Sequence, residues 1–398
     1  MQRSGRIAGV VALAIAVLGG VATGVVLVNR DDPAPDTAGP NPTSASLPAP
    51  SQTGSAEPSV VQTTYVIPEP DQPNTTSPPP DLAGVLARVR SGAVRVLAST
   101  CTGTGVGTGF LTDARTAITA LVSVDRAVAV VVVVRGRPVP ATVSSVSPVT
   151  GLATLRLARP VAGYHFERGG AAPTVGQQVG VVGVPVARTA PTLTKAAVTA
   201  TDERGSGLSG LVALKGSADL GLSGAPVVDG NGGVVGMVVA DEDETGLKAV
   251  PATTLDRAAT KKPDKGSCGR PKGPQIPTVI TGDAPKASKA TLQRYFAGIN
   301  TGDYDAVFDA FEPGTLKGSR SEIEKGFRST YDFHIRIEAW QGPNVWVRFD
   351  SIFAAGRGPR SSLTCARWSR VYIFADSDGG TRIGRVENRT GIPLYRAC

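Results

Sequence analysis

The chain has 398 residues, four Cys, two His and a formal net charge of +8. That length implies two or three domains, and so few His with no Cys-x-x-Cys pair argue against a structural zinc site, so no metal or cofactor is expected. No basic run interleaved with aromatics points to nucleic acid; the mild positive balance is that of an ordinary basic protein, and is also consistent with a neighbouring anionic membrane or wall surface.

Residues 7–28 carry no charge, with Arg3 and Arg6 before them and Arg30, Asp31 and Asp32 after. About 20 apolar residues cross a bilayer, and arginines on the N-terminal side favour an inside N-terminus. The alternative, a cleaved signal peptide, has a shorter apolar stretch of about 7–15 residues. Residues 1–30 therefore read as a cytoplasmic N-terminus and uncleaved single-pass anchor. The expected location is the cell membrane, with extracytoplasmic domains in which disulfides can form.

Residues 31–80 are rich in Pro, Ser, Thr, Ala and Gly and nearly lack large apolar groups. Such a stretch cannot bury enough surface to offset its ordering entropy. It reads as a disordered, partly polyproline-like spacer.

From residue 81 the periodicity changes. Residues 82–89 have helical spacing. Short apolar runs follow at 93–98, 109–112, 116–121, 127–134, 139–146, 153–157, 178–183, 193–200, 225–228, 234–240 and 247–250, separated by Gly and Pro. Strands spaced by about 8–12 residues with turn signals between them predict an all-β barrel or sandwich over 81–258. The string Gly207-Leu208-Ser209-Gly210-Leu211 is expected to be a loop.

Residues 259–286 read as a Lys-, Gly- and Pro-rich connector. From residue 287 an α+β domain is expected: a helix capped by Ser288 and running to Asn300, a second helix from Tyr304, a third over 321–328, then strands at 331–341, 344–354, 363–375 and 381–388. Period-2 alternation places Asp332, His334, Arg336 and Glu338 on one face, expected to be solvated, with Phe333, Ile335 and Ile337 opposite. Trp340, Trp346 and Trp368 are expected in the core. Four Cys allow three pairings. One of them joins Cys365 to Cys398 and leaves Cys101 with Cys268.

Gly221-Leu222-Ser223-Gly224-Ala225-Pro226, followed by an apolar run, a Gly-rich turn and a second apolar run, reads as a tight loop feeding a hairpin. The loop resembles the nucleophile loop of trypsin-like serine proteases, whose pattern is Gly-Asn-Ser-Gly-Gly-Pro. Further pieces in the same order resemble the bacterial high-temperature-requirement branch of that family. These are Gly107-Thr108-Gly109-Phe110-Leu111, Arg137-Pro138-Val139-Pro140-Ala141-Thr142-Val143, Val175-Gly176-Gln177-Gln178-Val179, Gly183-Val184-Pro185 and Leu247-Lys248-Ala249-Val250-Pro251. The resemblance implies two six-stranded β-barrels, with a peptide able to add as a strand at a barrel edge. Leu292-Gln293-Arg294-Tyr295-Phe296-Ala297-Gly298-Ile299-Asn300-Thr301-Gly302-Asp303-Tyr304-Asp305 resembles the opening of nuclear-transport-factor-2-like domains, which implies a sheet wrapped around a cone-shaped pocket.

Of the triad that the resemblance implies, only the serine is present. The family's His position, in Thr119-Ala120-Leu121-Val122, falls on Val122. Its Asp position, in Gly151-Leu152-Ala153-Thr154-Leu155, falls on Gly151. A serine needs a base to take its proton, so Ser223 is expected to be an inert nucleophile position in an oxyanion loop carried by Gly221 and Leu222. Substitute bases to be weighed are His165 and Lys195, Lys215 or Lys248; His334 lies in the other domain. The first functional expectation is a membrane-anchored pseudoprotease that binds a peptide or protein partner. The alternatives are an active serine endopeptidase with a non-standard base, and a ligand-binding role seated in the C-terminal domain.

Overall fold

The computed structural model describes residues 82–100, 104–167, 171–205, 207–239, 246–256, 260–264, 276–377 and 380–398. Residues 1–81, with the expected anchor and spacer, lie outside these, as do Cys101 and Cys268. Among the described residues no helix is long and apolar enough to cross a membrane.

Helix α1 (Leu82–Val89) opens the described chain. The first barrel follows: β1 (Ala93–Ser99), β2 (Thr104–Asp113), β3 (Thr116–Ala120), β4 (Ala129–Val134), β5 (Arg137–Ser147) and β6 (Leu152–Leu157). It closes in the order β1-β2-β3-β6-β5-β4. The second barrel has β7 (Gln178–Gly183), β8 (Thr192–Gly205), β9 (Leu208–Lys215), β10 (Pro226–Val228), β11 (Val234–Val239) and β12 (Leu247–Pro251), closed as β10-β11-β12-β9-β8-β7, with α2 (Ala252–Asp256) after it. One correction follows. The Gly207–Leu211 string, expected to be a loop, starts strand β9: Leu208 pairs with Gly205 and Leu211 with Glu203, completing the hairpin with β8.

The β4 sequence Ala-Val-Val-Val-Val-Val does not alternate in polarity, and every residue of it is buried. The cause is a core on each face. Val130, Val132 and Val134 point into the first barrel with Val94, Val96 and Leu155. Ala129, Val131 and Val133 pack outward on Tyr331, Phe333, Ile352 and Cys365 of the C-terminal domain. Between the barrels, Val85 and Val89 of α1 join Phe110, Val182, Val228 and Met237 in one cluster. Burying each such valine contributes roughly 1.5–3 kcal/mol.

The C-terminal domain comprises β13 (Ile280–Thr281), α3 (Lys286–Thr301), α4 (Tyr304–Asp309), α5 (Arg320–Phe327), β14 (Tyr331–Gln341), β15 (Asn344–Ile352), β16 (Cys365–Ser377), β17 (Gly380–Asn388) and β18 (Tyr395–Ala397). Its sheet runs β13-β14-β15-β16-β17, and β18 pairs with the start of β16. Leu292, Phe296 and Ile299 of α3 pack on Phe349 and Tyr372 of the sheet. Ser288 does not cap α3. Pro285 is its N-cap without a side-chain bond, and Ser288 is buried within the first turn. Asp303 caps α4 through the Ala306 amide, and Ser319 with Glu322 forms a reciprocal capping box on α5. Cys365 and Cys398 form a disulfide, the pairing considered from the sequence, which ties the C-terminus to β16.

Candidate functional site: the serine loop between the barrels

Ser223 follows a single 3-10 turn, Leu220–Leu222, that leads into β10. Asp219 sets this turn. Its Oδ1 accepts from the Gly221 amide at 2.7 Å and from the Val186 amide at 2.9 Å. The loop is fastened to the first barrel by two threonines. The Thr108 amide donates to the Ser223 carbonyl at 2.8 Å, and Thr108 Oγ1 donates to the Gly221 carbonyl at 2.6 Å. Thr119 Oγ1 in turn donates to the Thr108 carbonyl at 2.7 Å. Gly224 sits at φ +86°, and a Cβ there would collide with that same Thr108 carbonyl oxygen, so only glycine fits.

In the trypsin-like arrangement the amides of the serine and of the glycine two residues earlier face a developing oxyanion. Here both are spent inside the loop. The Gly221 amide is held by Asp219, and the Ser223 amide donates to the Leu220 carbonyl at 3.2 Å. Ser223 is 2 % exposed, and its Oγ has no hydrogen-bond partner among the described residues. A buried hydroxyl without a partner is uncommon in native structures. Among the described residues none accepts its proton.

The two positions expected to carry the partners, Val122 and Gly151, lie on turns of the first barrel. Val122 lies in a 3-10 turn, Leu121–Ser123, with its side chain 59 % exposed. Gly151 has φ +62°; its carbonyl accepts from the Leu121 amide at 2.7 Å. Leu208 at the start of β9 comes within 3.0 Å of where a Gly151 Cβ would stand, so an apolar side chain closes over this turn. Ser147 and Thr150, which flank that turn, also have buried hydroxyls without partners among the described residues. None of the substitute bases reaches Ser223. His165 is exposed on a segment pinned elsewhere, with the Tyr164 amide on Ser91 Oγ and the Phe166 amide on the Leu111 carbonyl. Lys195 and Lys215 are exposed, and Lys248 donates to the Arg204 carbonyl. Asp219, Thr108 and Thr119 were not singled out as loop-setting residues in the sequence. Asp219 carried a signal, an Asp two residues before Gly221, the spacing of an Asx-type cap.

The C-terminal domain corrects two readings. Asp332 is not solvated: it is 4 % exposed and accepts a hydrogen bond from the Ser351 hydroxyl. The alternation fails because His334 takes φ +52° and the β14–β15 register shifts between Phe333 and Arg336. Burial raises the Asp332 carboxyl to about 7, with the Ser351 hydrogen bond opposing. It faces a cavity of about 60 Å³ beside Tyr295, Arg370 and Tyr372, well below the 300–1,000 Å³ of ordinary ligand pockets. Trp340 is not core but 51 % exposed, at the end of the β14–β15 hairpin. Trp368 does pack against the domain core. His334 Nδ1 lies 3.0 Å from Asp350, which Arg367 also clasps with Nε at 2.7 Å. Burial pushes the Asp350 carboxyl up, but these two partners together hold it below the usual range. Among the described residues no three His, Cys, Asp or Glu side chains gather as a metal site requires.

A family model for the trypsin-like peptidase domain matches residues 107–237. No curated protein matches the chain. Among solved structures, the active form of the Rv3671c protease from M. tuberculosis is 23 % identical, with a TM-score of 0.41 over 52 % of this chain and 99 % of that one. Its inactive form is 23 % identical at TM-score 0.39, over 45 % and 95 %. The HtrA-type protease AlgW with a tripeptide is 19 % identical at TM-score 0.39, over 45 % and 62 %. The two closed six-stranded barrels are consistent with the trypsin-like peptidase domain whose model matches residues 107–237.

Proposed function

We propose that this chain is a membrane-anchored, extracytoplasmic pseudoprotease that binds a peptide or protein partner without cutting it. One observation carries the reading. The Ser223 hydroxyl is buried with no partner among the described residues, while the two amides that would receive an oxyanion are already bonded within the loop. Loss of the base alone costs about 10⁶ in rate where triads have been dismantled. The glycines and threonines around Ser223 then serve the backbone of the loop that joins the barrels. The uncharged stretch 7–28 supports the anchor, and the Pro-rich stretch 31–80 supports a spacer that holds the barrels off the membrane. The test is labelling with a fluorophosphonate probe. No adduct on Ser223 is expected over hours. Fast labelling that disappears in Ser223→Ala would overturn the reading.

A further inference from the structure

A groove of about 1080 Å³ lies between α1, the first barrel and the C-terminal sheet. Val184 and residues 189–191 give it a further wall. They belong to the β7–β8 connection beside the serine loop, where Asp219 holds the Val186 amide. Six arginines line the groove, with one acid, Asp350. Three of the arginines are matched. Arg95 donates to the Pro185 carbonyl at 2.6 Å, Arg348 pairs with Glu338 at 3.2 Å, and Arg367 pairs with Asp350 at 2.7 Å. Asp350 is buried and also holds His334 Nδ1 at 3.0 Å, so it is not free to neutralise the rest. Arg90, Arg135 and Arg336 are exposed and have no ion pair or side-chain hydrogen bond among the described residues.

Two further features set this groove apart. Among the described residues four non-glycine positions have positive φ, and two of them, Arg135 at +49° and His334 at +52°, line it. The left-handed region costs such a residue roughly 1–2 kcal/mol, and strain of this kind gathers at ligand clamps. The second feature is apolar surface among the charges. Val133 and Ile335 form the buried base, and Val279 stands 64 % exposed beside them. A bare phosphate would leave that surface unused. An extended polypeptide turns successive side chains to opposite faces. One in which acids alternate with apolar residues meets both kinds of surface. Its carboxylates reach the guanidinium forks, which bind them through paired N–H groups, and its apolar side chains cover the valines and the isoleucine.

We propose that this groove binds an extended segment of a partner protein in which Asp or Glu alternates with apolar residues. The inference rests on the partner-binding half of the proposed function, and it does not depend on whether Ser223 is inert. The volume stands at the top of the roughly 300–1,000 Å³ range of small-molecule pockets, room for several residues rather than one ion. The three unmatched guanidiniums come from the end of α1, the β4–β5 turn and the middle of β14. Because they are exposed, added salt screens their attraction for carboxylates.

The test is fluorescence anisotropy on the full chain in detergent solution, at low salt, with the probe peptide fluorescein-Glu-Val-Asp-Val-Glu-Ile-Asp. Saturable binding is expected. It should weaken about tenfold in Arg135→Glu/Arg336→Glu and stay unchanged in Arg328→Glu/Arg396→Glu, two exposed arginines outside the groove. The first variant should instead bind the probe with Lys in place of each Glu and Asp, which a misfolded protein would not do. With p-benzoylphenylalanine replacing Val279, light should crosslink the bound probe to the chain. No saturable binding, an equal loss in both arginine pairs, or no exchange of preference for the Lys probe overturns the proposal. Inorganic pyrophosphate displacing the probe at far lower concentration than the unlabelled peptide does overturns it too, and assigns the groove to a phosphate compound. Failure here is distinct from failure of the pseudoprotease reading. Fluorophosphonate labelling reports on Ser223, and mass spectrometry of the recovered probe reports any cleavage, whether or not the groove holds it.

Discussion

Placing a base and a carboxylate at the two positions proposed for the triad partners, Val122→His with Gly151→Asp, is expected to leave the protein without proteolytic activity. A restored base and orienter would at best recover the factor of about 10⁶ that triads supply. The oxyanion side would still fail, because the Gly221 amide is bonded to Asp219 at 2.7 Å and the Ser223 amide to Leu220 at 3.2 Å. Each absent oxyanion donor costs about 10²–10³ in kcat, so the double variant should remain about 10⁴–10⁶ below a working protease. The Asp also meets resistance of its own, since position 151 has φ +62° and Leu208 stands 3.0 Å from the new Cβ. A left-handed conformation costs a non-glycine residue roughly 1–2 kcal/mol. The assay is cleavage of a quenched fluorescent protein substrate, with Ser223→Ala as the blank. Adding Asp219→Ala releases the Gly221 amide, so the triple variant should exceed the double. A double variant reaching about 10⁴ M⁻¹s⁻¹ in kcat/KM, the low end for natural enzymes, would refute the argument that the loop is closed to an oxyanion.

Burial holds Asp332 at about 7, against roughly 3.9 in an unfolded chain. The folded state therefore keeps the proton between those values, and stability falls as pH rises from about 4 to 7, by on the order of 4 kcal/mol. In Asp332→Asn that part of the slope should vanish, read as urea midpoints at pH 5 and pH 8; equal slopes in both proteins would refute the assignment. Reducing the Cys365–Cys398 bridge, a sequence separation of 33, is expected to cost about 3–4 kcal/mol by the chain-entropy estimate, measured as the midpoint difference between wild type and Cys365→Ser/Cys398→Ser. Val131→Asp places a carboxylate in the fully buried layer between β4 and Tyr331. A loss of several kcal/mol is expected, with earlier proteolysis of the C-terminal domain.

The sequence made the barrels legible because their strands are short, apolar and punctuated by Gly and Pro. The reading of Val122 and Gly151 as the triad's partner positions rests on position in the sequence alone. Strand β9 was hidden because Gly207, Ser209 and Gly210 suggest a turn, while the partner that makes them a strand, β8, lies across a hairpin. Asp332 was misplaced because a single left-handed residue, His334, shifts the register that alternation assumes. The closed state of the serine loop was legible only in part. Asp219 is visible as a potential cap, but which amides it captures depends on the Val184–Val186 turn, brought beside it by the second barrel.

Strand β4 is a party wall. Its even-numbered valines belong to the first barrel and its odd-numbered positions to the C-terminal sheet. Severing the chain between residues 256 and 276 would thus leave two raw surfaces, a row of bare valines on one piece and Tyr331, Phe333 and Ile352 on the other. Each fragment should stick to itself or to its lost neighbour. The barrels and the C-terminal sheet should therefore melt in one cooperative transition.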